Sequence, residues 1–206
     1  MDFILKVVGL FGLTIDDPKV RAFLADYPSI KKDKPSSGSQ YLIGKEYGFD
    51  LLFEGDRLPQ SRFLNTLFLY ADGVDKHKAF VGDLPFGFKF MQTHAELVAI
   101  KQPDTTWVLG QGRVPSDHPA PDSATWVTPE FNLFVTYSNN SIKTHLIQIQ
   151  PFKPINIESE WKPAPTWQKM AAEKKMLDAI KLYREEHAVS MAEAKAAIEA
   201  YVTSLN

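Results

Sequence analysis

The sequence has no cysteine, so disulfides, thiol nucleophiles, thiolate zinc sites and iron–sulfur clusters have nothing to be built from. It also has no apolar run near the roughly 20 residues that cross a bilayer. The apolar N-terminal stretch, Phe3 to Leu13, follows Asp2, is interrupted by Lys6 and leads to no small-residue cleavage site. That is the pattern of a buried amphipathic helix and not of a secretion signal. Charge of one sign is lacking as well: 23 Lys and Arg against 25 Asp and Glu leave a net charge of −2, with the basic residues scattered. Without a basic stripe to neutralise phosphates, nucleic acid is excluded as the primary partner. There is no repeat of 20–50 residues and no low-complexity tract. These absences lead to the expectation of a cytoplasmic protein with no membrane contact.

What is present is aromatic and apolar. The 206 residues include 14 Phe, 7 Tyr and 4 Trp, and 44% are hydrophobic, enough to bury a core without covalent staples. Phe3, Ile4, Val7, Val8 and Phe11 recur at helical spacing, predicting a helix over 2–12. Asp17-Pro18 predicts a capped second helix, about Pro18 to Ala25. Lys31 to Ser39 reads as a polar loop. From Gln40 the period changes to two. Strands are expected over 41–45 and 49–54, joined as a hairpin, and over 62–70, where apolar residues on both faces predict a central strand. Thr93 and Glu96 form a capping box for a helix over 94–101. Further strands are expected over 106–109, 131–137 and 142–149, with a surface loop over 110–123. Four prolines mark 151–166 as a strap. Helices are expected over 167–186 and 191–203, with Ser190 and Glu193 as a second capping box and Leu177, Ile180, Tyr183, Val189, Met191, Ala194 and Ile198 as their apolar seam. The fold class is therefore α+β: a mostly antiparallel sheet with N-terminal helices in residues 1–150, a Pro-rich linker over 151–165, and a C-terminal helical hairpin over 166–206.

Motifs that carry chemistry are missing. His77, His94, His118, His145 and His187 show no metal-ligand spacing, so no metal site is expected, and each reads as structural or solvated; His145, within an alternating strand, is the partly buried exception. No G-x-S-x-G surrounds a serine. Gly110-Gln111-Gly112-Arg113 lacks the Lys-Ser/Thr of a phosphate loop. No cofactor and no catalytic residue is assigned. Asp50, Glu54, Asp56, Asp72, Asp75 and Asp83 gather around the turns of the first sheet. Aspartate is common in turns for local reasons; the functional alternative is an acidic surface that speeds encounter with a basic partner. Tyr47, Phe86 and Trp126 are aromatics placed to project from loops as partner anchors.

Two resemblances extend this. Residues 47–56 (YGFDLLFEGD), 67–73 (LFLYADG), 80–90 (FVGDLPFGFKF), 93–103 (THAELVAIKQP) and 126–137 (WVTPEFNLFVTY) follow one another in an order that resembles a group of small bacterial proteins encoded beside polymorphic toxins and assigned as immunity proteins. The shared plan is Gly48 to Phe53, Leu69-Tyr70, the Gly82-to-Gly87 turn, Thr93 to Glu96 and Tyr137, over about residues 9–149. The resemblance implies a protein that binds and neutralises a cognate, cytosol-acting toxin by occlusion, the toxin being a nuclease, an NAD-degrading enzyme or another modifying enzyme. Residues 179–199 are similar to the helix-turn-helix of the C-terminal domain of the ribosomal stalk protein, through Lys181, Arg184, Glu193, Ala194 and Lys195, with Ala188, Val189 and Ser190 replacing its small turn residues. Two other function classes stay open. One is an adaptor or chaperone for a secreted effector, or a translation-linked module, working through the hairpin. The other is an enzyme whose pocket is lined by Asp50, Asp72, His94 or His145.

Overall fold

The change of period near Gln40 is realised as a change from helix to sheet. The computed structural model describes residues 2–36, 38–56, 58–138, 143–154, 167, 171, 175–187 and 190–204, and the chain divides into two compact units, Met1–Ile157 and Glu158–Asn206. The first unit contains nine strands among its described residues: β1 (Lys31–Lys32), β2 (Ser39–Gly44), β3 (Phe49–Gly55), β4 (Arg62–Tyr70), β5 (Thr105–Val108), β6 (Gly112–Val114), β7 (Ser123–Val127), β8 (Phe131–Tyr137) and β9 (Thr144–Pro151). They form one sheet in the order β1-β2-β3-β4-β9-β8-β7-β5-β6, and every pairing is antiparallel. At one edge stands β1, two exposed lysines long, where short length and charge blunt pairing with another chain.

One sheet face carries the core. Phe49, Leu51 and Phe53 of β3 lie opposite Leu69, Leu67 and Leu64 of β4. Ile147 and Ile149 of β9 and Leu133, Val135, Ala124 and Trp126 of the next strands continue it. Three helices contribute: α1 (Asp2–Val8) through Ile4 and Val7, α2 (Pro18–Ala25) through Val20, and α3 (His94–Ile100) through Leu97. Both sequence caps are formed. The Asp17 carboxylate accepts from Lys19 N at 2.8 Å, and Thr93 and Glu96 cap α3 reciprocally.

Several expectations need correction. The N-terminal helix ends at Val8 and does not reach residue 12. Strand β9 pairs β4 only over Leu67–Tyr70, so the start of β4 has an open edge, and residues 12–14 fill it: Gly12 N donates to Leu64 O and Leu64 N to Leu13 O. Backbone donors needing partners outweigh the helical pattern there. In β4 the alternation read from sequence put Phe63 with Leu67 and Leu69. The register slips between Leu52 and Phe53, so Leu52 faces Thr66 while Phe53 faces Leu64. The bulge at Asn65 reverses the parity before it: Leu64 is buried and Phe63 is 45% exposed. Phe63→Thr is accordingly expected to change unfolding free energy by less than about 0.5 kcal/mol in a urea titration; a loss beyond about 2 kcal/mol would place its ring in the core. The loops expected over 31–39 and 110–123 contain β1 and β6 and lead into β7, whose Ser123-Ala124-Thr125 gives little strand signal of its own.

In the second unit, α4 (Met176–His187) and α5 (Met191–Ser204) pack as a hairpin around Ala179, Ile180, Ala194 and Ile198. Ser190 and Glu193 cap α5 as expected, the carboxylate accepting from Ser190 N at 2.9 Å and its hydroxyl at 2.7 Å. The expected helix over 167–186 is not continuous. Trp167 and Ala171 are helical but Lys175 is not, and the Trp167 ring meets Tyr183 and Tyr201 edge-on at 4.9 and 5.1 Å. That packing replaces part of the expected seam: Leu177 is 75% exposed and Met191 53%. Val189 and most of the expected strap, 155–166, lie outside the described residues.

Candidate functional site

Asp50 is the second residue of β3, on the face opposite the core, where a carboxylate is costly unless fully paired. It has partners on each oxygen. Oδ1 accepts from Gly44 N at 2.9 Å and lies 2.8 Å from His77 Nε2, while Oδ2 accepts from the Tyr70 hydroxyl at 3.0 Å. His77 reaches it because the turn after β4 uses left-handed backbone at Gly73, Asp75 and Lys76, folding the imidazole flat onto the Tyr70 ring at 3.8 Å and 10°. Its Nδ1 sits 3.2 Å from Val74 O. Both ring nitrogens thus face oxygen atoms, Val74 O and Asp50 Oδ1. Burial, followed by the Asp50 charge, drives the Tyr70 phenol well above its ordinary pKa, so it stays a neutral donor. All three residues are buried.

A second buried pair ties α3 to β8. The Ser116 carbonyl can only accept, so His94 Nε2 donates to it at 2.7 Å; Nδ1 then accepts from the Tyr137 hydroxyl at 2.8 Å. Burial lowers the His94 pKa, as does the His118 charge, against an opposing contribution from the Ser116 hydrogen bond. The sign follows directly. The unfolded chain takes up this proton near pH 6.5 and the folded chain does so only at lower pH, so stability falls on acidification between those values. His94→Gln, which keeps a donor and an acceptor, is expected to remove a slope of up to about 1.4 kcal/mol per pH unit in that window, read from unfolding curves of the two proteins against pH.

The six acids expected as one partner surface are divided. Asp50 is internal. Asp72 and Asp75 are exposed in the turn beside it, and Asp75 contributes to the Tyr70 shift. Glu54 and Asp56 are exposed at the opposite end of β3; Glu54 is four residue steps along the strand from Asp50, about 13 Å. Glu54 accepts from Asn65 Nδ2. Asp83 is exposed in the turn before Pro85. Of the expected aromatic anchors, Trp126 is fully buried against Phe88 and donates from Nε1 to Lys101 O at 3.0 Å. Phe86 is half-buried at φ +62°, with Lys101 Nζ 4.5 Å over its ring, and Tyr47 is half-buried. His145 has its Nδ1 buried without a partner among the described residues.

Three surface cavities stand out. The first, of about 340 Å³, is lined by Phe3, Tyr27, Tyr47, Phe49 and Phe80 with Glu46. The second, of about 460 Å³, adjoins it through Glu46 and carries Lys31 and Lys45. The third, of about 380 Å³, lies between Leu5, Phe86, Lys101 and the Thr128–Phe131 turn. Asp50, Asp72, His94 and His145 line none of the three. The aromatic cavity was missed in the sequence because its rings come from four separate segments. Among the described residues no three His, Asp or Glu side chains converge as a metal site, and no helix is long and apolar enough to cross a membrane.

No protein-family model matches the sequence, and no curated protein matches it. Among solved structures, an extracellular protein containing a SCP domain from Bacillus anthracis str. Ames superposes with a TM-score of 0.44 at 9% identity, covering 89% of this chain and 61% of that one. A cysteine-rich secretory protein from Staphylococcus aureus subsp. aureus Mu50 gives 0.41 at 12% identity, over 84% and 61%. The chain spans 61% of the length of either structure.

Proposed function

We propose that this chain is a binding protein and not an enzyme: an immunity protein that neutralises a cognate, cytosol-acting bacterial toxin by occlusion. The observation that carries this is where the buried ionisable groups lie. Asp50, His77 and Tyr70, and separately His94 and Tyr137, are spent on one another and on backbone, and none lines the three cavities. Acid–base catalysis needs such groups within reach of a substrate. The order of motifs shared with immunity proteins supports the choice of partner. The exposed acids Glu54, Asp56, Asp72, Asp75 and Asp83 are the proposed contacts for a basic toxin surface; Asp50 serves the fold.

Co-expression with the product of the adjacent gene tests this. A stoichiometric complex that survives gel filtration, together with restored growth of toxin-expressing cells, is expected. Growth arrest with no complex would exclude it. An adaptor role through the C-terminal hairpin is favoured by one observation, the exposed Leu177 and Met191 of that separate unit. Deleting 166–206 distinguishes the two, because protection that persists without the hairpin places the contact in the first unit.

A further inference from the structure

The sheet has a second face, opposite the core. Register sets Phe68, Gln148 and Phe134 side by side on it across β4, β9 and β8. Leu146 stands in the adjoining row, which ends on Trp107 of β5. Phe68, Phe134, Leu146 and Trp107 are half-buried, and among the described residues none of them belongs to or packs against either hydrophobic cluster. The outer face of an antiparallel sheet is ordinarily polar where water covers it. Here the paired residues of β4, β9, β8, β7 and β5 put no Asp, Glu, Lys or Arg on this face, in a chain that is 23% charged. Aromatic and aliphatic side chains alternate instead with Gln, Asn, Ser and Thr. Few charges and many rings are the composition of the centre of a protein interface.

The charge of the face and the symmetry of its centre select the occupant. A charged surface laid on it would lose water and find no counter-charge, whereas a second copy brings a face as neutral as its own. Strand β9 is the middle of the seven strands β2-β3-β4-β9-β8-β7-β5, which puts Gln148 at the centre. A carboxamide both donates and accepts, so it pairs with its own image. A two-fold axis through Gln148 sets Phe68 of each copy near Phe134 of the other, the self-complementarity that an isologous contact requires. Seven strands about 4.8 Å apart and three side-chain rows span roughly 34 by 20 Å. Less the corner that His77 covers over Tyr70 and Asp50, that leaves about 600 Å² a copy and about 1,200 Å² for two, the small end of stable specific interfaces. We propose that this face binds a second copy of the chain, sheet against sheet, about a two-fold axis at Gln148. The five acids proposed for toxin contact lie outside β4, β9, β8, β7 and β5, so the two proposals stand or fall separately.

The test is sedimentation equilibrium of the full chain from about 1 to 200 µM, where a monomer–dimer equilibrium with a dissociation constant near about 10 µM is expected. Gln148→Glu sets two like charges against each other at the axis and is expected to weaken the dimer about 100-fold or more, with the far-ultraviolet dichroism of the wild type retained. Gln148→Lys does the same, and an equimolar mixture of the two variants recovers the dimer, because a carboxylate then meets an ammonium. Thr136→Glu, on β8 beside Leu146, is a second charge on the same face and is expected to dissociate the dimer too, so the outcome does not depend on one position tolerating a charge. A chain that is monomeric throughout, a dimer unaffected by Gln148→Glu and by Thr136→Glu, or a mixture that stays monomeric overturns the proposal. A monomer that pairs only with the product of the adjacent gene, and loses that pairing in Gln148→Glu, assigns the face to that partner and overturns it as well.

Discussion

Asp50→Ala is expected to lower the unfolding free energy by about 3–5 kcal/mol, toward the low end of about 1–3 kcal/mol for each buried group left without its hydrogen-bond partner. Three groups lose their acceptor at once: Gly44 N in the neighbouring strand, His77 Nε2 from the turn after β4, and the Tyr70 hydroxyl. The methyl group cannot satisfy any of them, and the imidazole is left buried against an aromatic ring. Urea unfolding followed by tryptophan fluorescence and by far-ultraviolet dichroism measures the loss. Comparing Asp50→Ala, His77→Ala and the double variant separates the pair from the rest of the network, with an expected coupling of about 1–3 kcal/mol because both residues share one hydrogen-bonded cluster. Near-additive single losses would mean that Gly44 and Tyr70, and not His77, account for the role of Asp50. A loss below about 1 kcal/mol would mean that water reaches the carboxylate.

The elements legible in the sequence were those whose signals are local. Asp17-Pro18, Thr93 with Glu96, and Ser190 with Glu193 each mark a helix start through bonds made within three residues, and each cap is formed. The β2–β3 hairpin and the long β4 were likewise written in a period of two. What escaped was set by distant partners. The helical pattern runs on to residue 12, but Gly12 and Leu13 are drawn off to the free edge of β4. Phe63 faces solvent because of a bulge whose register depends on β3. Ser123–Val127 becomes a strand because β5 and β8 flank it on either side, overriding weak propensity. The candidate site was legible only in part. Asp50 stood out as an acid, but the sequence grouped it with five turn acids that the fold divides between the two ends of β3 and the turn before Pro85. Its partner His77 is 27 residues away, in a turn whose left-handed Asp75 and Lys76 carry no signature that a pattern could find. The five rings of the aromatic cavity are scattered from Phe3 to Phe80, and only the packing of α1, α2 and β3 collects them.

Gly48 shows how one motif residue holds several of these parts together. It closes the β2–β3 hairpin at φ +73°, and a Cβ placed there would lie 2.2 Å from Phe80 N, 2.5 Å from Phe80 Cα and 2.6 Å from Ala79 C, all backbone atoms. Those atoms cannot yield without losing Phe80 N to Tyr70 O and Tyr70 N to Gly48 O, both 3.0 Å. Gly48→Ala is therefore expected to cost about 3–4 kcal/mol, from left-handed strain of roughly 1–2 kcal/mol and two displaced hydrogen bonds of about 1 kcal/mol each. Gly73→Ala is the control. Its φ is +77° but no atom lies within 4 Å of the added methyl, so strain acts alone and the expected loss is about 1–2 kcal/mol. Equal losses at the two positions, by denaturant midpoint at unchanged slope, would mean that the 79–80 segment moves freely. A larger loss at Gly48 than at Gly73 would mean that this segment is fixed against the hairpin, and with it Tyr70 in the acid–imidazole cluster and Phe80 in the aromatic cavity.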